Sequence, residues 1–366
     1  MSTLIIEVCQ IEELKPHSNA DRLELARVKN WWCVVPKERY SVGDKVVYLP
    51  PESLLPIALA ERWGIAKYCA ALPKTQRAAY SDRLRIRASR FRGERSFGTI
   101  QPVDDNTWTI GQDVRAIYDI LKYEPPLKVA EGEVAPEVPE FHKYTDIENL
   151  GNFPGIFQPG EEVVVTEKIH GTNCRVGVIP MANEAGEKVP TFVAGSHSMR
   201  RYETDASGHR SRYWLPLESE NIKALLMSLS EEHQQPVILF GEIFGSGVQD
   251  MQYGQKGLAF RAFDLAIDGK YLDVDIQKAL FDKFQIEPAP LLYRGPFSIE
   301  VMDGLVDGPT TVSTAEEIQE SFKGREGIVI KPVKERYSEV LSGRTVLKYI
   351  SVDYHDRKNK NRTEDH

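Results

Sequence analysis

The chain has 366 residues, 41% of them hydrophobic and 27% charged, an ordinary globular composition with material for two cores. Its net charge of −8 excludes a globally basic nucleic-acid binder, so any contact with phosphate has to be local. No apolar run approaches the roughly 18 residues of a membrane span, and Met1-Ser2-Thr3-Leu4 opens no signal-like basic and apolar block, so a cytoplasmic protein is expected.

Residues 1–122 read as short strands separated by turns, the pattern of a small barrel or sandwich. Candidate strands are Ile5–Val8, Arg22–Val28, Cys33–Val35 and Lys45–Tyr48, with turn signals at residues 17–21 and 42–44. Leu54 to Tyr80 looks more helical and less regular; Arg83–Arg87 and Phe97–Ile100 then complete the set. Arg83, Arg85 and Arg87 alternate with Leu84, Ile86 and Ala88, which puts the arginines on one face of a strand. That face is either a solvated barrel exterior or a local contact to nucleic-acid phosphates.

Residues 123–159 carry repeated prolines among acidic residues and read as a linker. Residues 160–352 follow an α+β pattern. Its strands are expected at Val163–Lys168, Cys174–Ile179, Val237–Phe240, Leu258–Leu265, Gly327–Lys331 and Thr345–Ile350. Helices are expected at Ser219–Gln234, Val274–Phe284 and Ala315–Lys323, the last with Thr314 and Glu317 spaced as a capping box. Residues 353–366 form a polar tail. The cysteines Cys9, Cys33, Cys69 and Cys174 are scattered without a C-x-x-C pair and read as reduced thiols.

The chemistry concentrates in the second region. Lys168 ends an apolar strand just before Gly171, and regular alternation puts Lys168 and His170 on one face, Glu167 and Ile169 on the other. A lysine losing water at the edge of such a core drops in pKa and becomes a nucleophile. Glu242 sits between Gly241 and Gly245; Phe263 lies on an aromatic strand; Glu326 and Lys331 bracket a β-branched strand; Lys348 has apolar neighbours. Singly each reads as a turn, a core ring or a surface charge. Together they suit one nucleotide. Lys168 would attack the α-phosphate and expel pyrophosphate, with Lys348 neutralising the charge that builds up. Glu242 would accept from ribose hydroxyls, Phe263 would stack on the base, and Glu326 would hold a divalent metal such as Mg²⁺. Regular alternation puts Lys331 on the opposite face from Glu326, so a bulge at Gly327 is needed for both to reach one ligand.

Lys168-Ile169-His170-Gly171, Phe240-Gly241-Glu242, Phe260–Asp264, Glu326–Lys331 and Leu347-Lys348 occur in an order that resembles the covalent nucleotidyltransferases: DNA ligases, RNA ligases and capping enzymes. The K-x-H-G form, with Asn173 following, is most similar to the RNA-ligase branch. Residues 15–24 and 40–48 resemble OB-fold modules, in particular the OB domain preceding the catalytic domain of nick-sealing RNA ligases. The resemblance implies an α+β chain: an OB-like β-barrel, then an adenylation domain of antiparallel sheets with flanking helices. It implies ATP and Mg²⁺ (or Mn²⁺), a lysyl-AMP at Lys168, and transfer of AMP to a 5′-phosphate. The implied substrate is a nicked duplex with RNA on the 3′-hydroxyl side. It also implies nucleotide contacts from Glu167, His170, Gly171, Asn173, Arg200 and Lys331. Two departures stand out: Val346 replaces the first lysine of the usual K-x-K, and Ser196–Arg200 stands where relatives show Ser-Arg. The alternatives are an RNA-binding protein with a degenerate ligase domain, a GTP-using capping enzyme, or a DNA ligase.

Overall fold

Alternating β-branched and polar residues generate the strands of the N-terminal region, and each strand buries the apolar row. The computed structural model describes residues 4–72, 80–124, 133–314, 316–318 and 322–354. These fall into two units, one within Met1–Leu127 and Leu150–Pro154, the other within Lys128–Asn149 and Gly155–His366. No helix of the described residues is long and apolar enough to cross a membrane. The four cysteines are free, and all but Cys69 are buried.

In the first unit β1 (Glu7–Pro16), β2 (Leu23–Val28), β3 (Trp31–Pro36) and β4 (Lys45–Leu49) follow one another closely. An excursion then carries β5 (Ser53–Pro56), α1 (Ile57–Arg62), β6 (Arg83–Arg85) and the hairpin β7 (Ala88–Phe91) and β8 (Glu94–Phe97). The chain returns as β9 (Thr99–Pro102), and β10 (Leu121–Lys122) pairs with β5. The main sheet is antiparallel in the order β3-β2-β1-β4-β9. On β4, Val46 joins one apolar cluster and Val47 another, so this strand is covered on both faces.

The arginine strand does not present an open basic face. Arg83 is ion-paired with Asp119 at 2.6 Å, Arg85 pairs with Glu52, and the Arg85 guanidinium lies 3.7 Å from the Tyr123 ring. Carboxylates of the same unit neutralise both, while Leu84 between them packs against the core and Ile86 after them enters it. The region expected to be more helical and less regular, Leu54 to Tyr80, begins as a strand and a short helix, β5 and α1; residues 73–79 lie outside the described residues.

The second unit has two sheets. β11 (Glu148–Asn149) and β12 (Glu162–Glu167) belong to the first; β13 (Thr172–Ala182), β14 (Lys188–Ser196) and β15 (Arg200–Arg201) to the second. After α2 (Glu220–His233) come β16 (Val237–Gly245), β17 (Leu258–Ile267), β18 (Lys270–Tyr271) and α3 (Val274–Phe284). β19 (Leu291–Pro296), α4 (Ile299–Val306), β20 (Gly327–Pro332), the hairpin β21 (Tyr337–Ser338) and β22 (Gly343–Arg344), and β23 (Leu347–Ile350) complete the unit. The orders are β11-β23-β20-β12-β19 and β15-β14-β13-β16-β17-β18. Helix α2 starts where Ser219 accepts from the Ile222 N–H, and its buried face, Ile222, Leu225, Leu226 and Leu229, packs with Val176 and Leu239. The expected helix over residues 315–323 lies largely outside the described residues, although the Thr314 N–H donates to Glu317 at 2.8 Å.

The segment expected as a linker is instead partly core. Phe141 and Tyr144 pack with Phe240 and Ile238, because aromatic residues spaced among the prolines cover a sheet face that would otherwise meet water. Below them Asp264 binds Lys331 at 2.7 Å and Arg344 at 3.1 Å, and accepts from Tyr144. Burial works against its ionisation, but the Arg344 and Lys331 cations outweigh it and hold the carboxyl below its usual range. While Arg344 keeps Glu335, Asp264→Ala strands the Lys331 cation in this interior. It is expected to cost about 3–5 kcal/mol, read by chemical denaturation of the full chain.

Candidate active site

β12 stops at Glu167 and β13 begins at Thr172, so residues 168–171 are the crossing between the two sheets of the second unit. Two glycines permit it. A Cβ on Gly171 would lie 2.2 Å from the Ile243 carbonyl oxygen and 3.0 Å from the Glu242 side chain. Gly327, at φ +154°, would meet the Tyr349 carbonyl oxygen at 2.2 Å, and its own carbonyl accepts from the Lys168 N–H at 2.9 Å. The crossing therefore brings Lys168, from one sheet, against Glu242, from the other.

Lys168 Nζ lies 2.9 Å from Glu326 Oε1, and 26% of the lysine side chain remains exposed, enough for a ligand to reach it. His170 Nδ1 is 3.4 Å from Glu326 Oε2. The shared face expected for Lys168 and His170 is therefore realised, with Glu167 and Ile169 buried away from it. Glu242 is paired with Asn173 across β13 and β16 and receives the Gly171 N–H. Lys348 lines up with Val329, which in turn lines up with Thr166, two residues before Lys168. Lys348 is thus on the Lys168 side of the sheet.

The electrostatics invert one expectation. Burial alone pulls the Lys168 amine down, but Glu326 and Glu242 outweigh it and raise the pKa. Burial likewise opposes ionisation of Glu326, yet Lys168 and His170 hold it at about 2. Glu242 is pushed up to about 8 by burial, its attraction to Lys168 being countered by repulsion from Glu326. At neutral pH the ligand-free site therefore holds an ammonium, one carboxylate and a largely protonated second carboxyl. Desolvation by itself does not make Lys168 a nucleophile.

The other expected residues divide. Phe263 sits at a bulge, where Phe240 pairs with Asp264 but Gly241 with Ala262, and it lies 4.9 Å from Tyr144 between two apolar clusters. Glu167 does not offer its side chain to a nucleotide: it accepts from the Thr311 N–H at 2.6 Å and from the Thr310 and Thr311 hydroxyls. Lys331 is spent on Asp264 and the Phe263 carbonyl; it pairs with Val164, so it stands on the same face as Lys348, further along β20 from Glu326. Arg200 points its guanidinium at Met181 Sδ, 3.4 Å away, at the opposite end of β13 from Asn173. Cys174 adjoins the site, but burial pushes its thiol well above the ordinary range, so it is no competing nucleophile.

Three residues had no sequence signal. Asp250 belongs to no recognisable motif, yet it lies 2.8 Å from His170 Nε2. Tyr253 holds the His170 N–H at 2.7 Å, and Tyr354 meets His170 Nδ1 at 3.0 Å. The expected tail therefore begins inside the site, with Tyr354 buried. Residues 355–366 lie outside the described residues.

Two outcomes follow from this geometry. Gly171→Ala forces Glu242 and Ile243 away from Lys168, and a shift of about 1 Å is expected to slow any reaction at the amine about 100-fold. Glu326→Gln removes the strongest support of the ammonium, so Lys168 should lose its proton at lower pH. Acylation of Lys168 by an amine-reactive ester, followed by peptide mass mapping across a pH series in nucleotide-free protein, reads that shift.

The family model for RNA ligase matches residues 161–350, and a model of an OB-fold domain matches residues 5–103. No curated protein matches the chain. Among solved structures, Naegleria gruberi RNA ligase with PPi is similar at TM-score 0.73 and 24% identity, over 97% of this chain and 99% of that one. A substituted form of that ligase with ATP and Mn gives TM-score 0.74 and 23% identity, again over 97% and 99%. A third, substituted and with AMP and Mn, gives 0.73 and 23% over 96% and 98%. At these identities the likeness is one of fold, an OB-fold domain followed by a sheet-rich ligase domain. The family match covers more than half of the sequence and contains Lys168, Glu242, Glu326 and Lys348: the chain belongs to the RNA ligase family.

Proposed function

We propose that this RNA ligase uses ATP with Mg²⁺ or Mn²⁺ to seal 3′-hydroxyl and 5′-phosphate ends at nicks in duplex, with RNA on the 3′-hydroxyl side. The observation that carries the reading is the Lys168–Glu326 pair at 2.9 Å, with Glu242 close enough to act on the same amine. ATP and Mn accompany forms of the similar Naegleria ligase. Residues 160–352 are assigned the chemistry and residues 1–122 the handling of nucleic acid. Residues 123–159 join them.

In the first step the ammonium gives up a proton to solvent, and the Lys168 Nζ–P bond to the α-phosphate then forms as the P–O bond to pyrophosphate breaks. AMP then passes to the 5′-phosphate of the RNA end, leaving the amine free. Attack by the 3′-hydroxyl forms the phosphodiester and releases AMP. Lys348 faces the charge that grows on the α-phosphate. Glu242 and Asn173 would serve the ribose, and Phe263 the base.

The residues present fit a divalent cation. Glu326 Oε2 is buried without a hydrogen-bond partner. Among the described residues no cluster of three or more His, Cys, Asp or Glu is built to hold a metal. Glu326 would thus hold the ion together with oxygens brought by the nucleotide, a donor set that suits Mg²⁺. When bound there, a cation would offset phosphate charge and would compete with Lys168 for the carboxylate.

The test is incubation with ATP or GTP labelled at the α-phosphate, plus metal and no RNA. Label from ATP on the protein, abolished in Lys168→Ala, is the expected result. Label from GTP alone would mean a capping enzyme, and none at all a binding protein. Sealing of nicks with RNA at the 3′-hydroxyl should exceed that of nicks with DNA there by at least about tenfold, read by gel; equal rates reject the preference.

A further inference from the structure

The first unit contains a cavity of about 290 Å³ that the ligase chemistry does not use. It lies between β3 and β9 of the main sheet and the excursion inserted between β4 and β9. Pockets for drug-sized ligands span about 300–1,000 Å³, so this one takes a group of about one nucleotide and not a strand. The rings of Trp63, Tyr68 and Phe91 line it, with Tyr68 and Phe91 edge to face at 5.7 Å and Tyr68 54% exposed at the surface. Arg39, Lys67 and Arg87 also line it, and no acidic side chain is among its described lining residues.

The charges here differ from those of the neighbouring arginine strand. Arg83 and Arg85 are consumed by Asp119 and Glu52. Arg39 is held by the Gln101 amide oxygen at 3.3 Å and the Tyr40 ring at 5.4 Å, and Lys67 lies over Tyr68 at 4.9 Å. Both are positioned by neutral groups and keep their charge for an anion. In a chain of net charge −8, a cavity with flat rings and unneutralised cations is complementary to one ligand chemistry: an aromatic base carrying a phosphate.

We propose that this cavity binds one unpaired nucleotide of the RNA, its base against Trp63 and Tyr68 and its phosphate toward Arg39 and Lys67. The proposal rests on the ligase reading only in taking the polynucleotide, not a free nucleotide, as the source. Its test is fluorescence anisotropy of the full chain with a labelled single-stranded hexaribonucleotide over a salt series. Lys67→Ala with Tyr68→Ala should weaken binding about tenfold and reduce the salt slope by about 0.7, the value for one phosphate on a single strand. Ser89→Leu, which fills the cavity without removing a cation, should weaken binding similarly while the salt slope of the residual binding falls less. Unchanged affinity in both variants overturns the proposal, as does binding of free UMP in the cavity without any loss of hexamer affinity. ATP label transfer to Lys168, run on the same preparations, reports separately on the ligase reading.

Discussion

Everything in the catalytic unit converges on one ion pair, Lys168 with Glu326, held where the chain crosses from one sheet to the other. Removing an ammonium and a carboxylate from water is costly, and the pair persists because each supplies what burial has taken from the other. The consequence is an amine held as a cation. On the proposed function, reaction at Lys168 would require something that competes for Glu326, such as the nucleotide with its metal.

Around that pair the backbone is brought unusually close. Gly171 under Ile243 leaves no room for a side chain where the two sheets meet beside the amine, and Gly327 under Tyr349 leaves none within the first sheet. His170 is then braced from three directions by Asp250, Tyr253 and Tyr354. The second cluster, Asp264 with Lys331 and Arg344, lies further along β20 and ties that strand to β17 and to the hairpin before β23. Two charge networks thus share one strand: one open to a ligand and one closed.

Much of this was legible in the residues. The strand entering Lys168, the helix over Val274–Phe284 and the alternation that groups Lys168 with His170 follow from local periodicity, which depends only on neighbours in sequence. The arginine strand shows the limit of such reasoning. Period two correctly put Arg83 and Arg85 on one face, but Asp119 and Glu52 decided what that face meets. Likewise a proline-rich acidic stretch read as a linker, while Phe141 and Tyr144 found a sheet to cover.

By itself the order of residues determined which side chains could carry the chemistry and on which face of each strand they stand. Backbone geometry makes that a local property. Only the tertiary structure decided the partners: that Glu167 serves the 310–311 loop, that Lys331 belongs to Asp264, and that Tyr354 returns to His170 from 184 positions away. Partner choice sets protonation, because charge and burial act through space and not along the chain, so a lysine whose sequence suggested an easily lost proton rests as an ammonium.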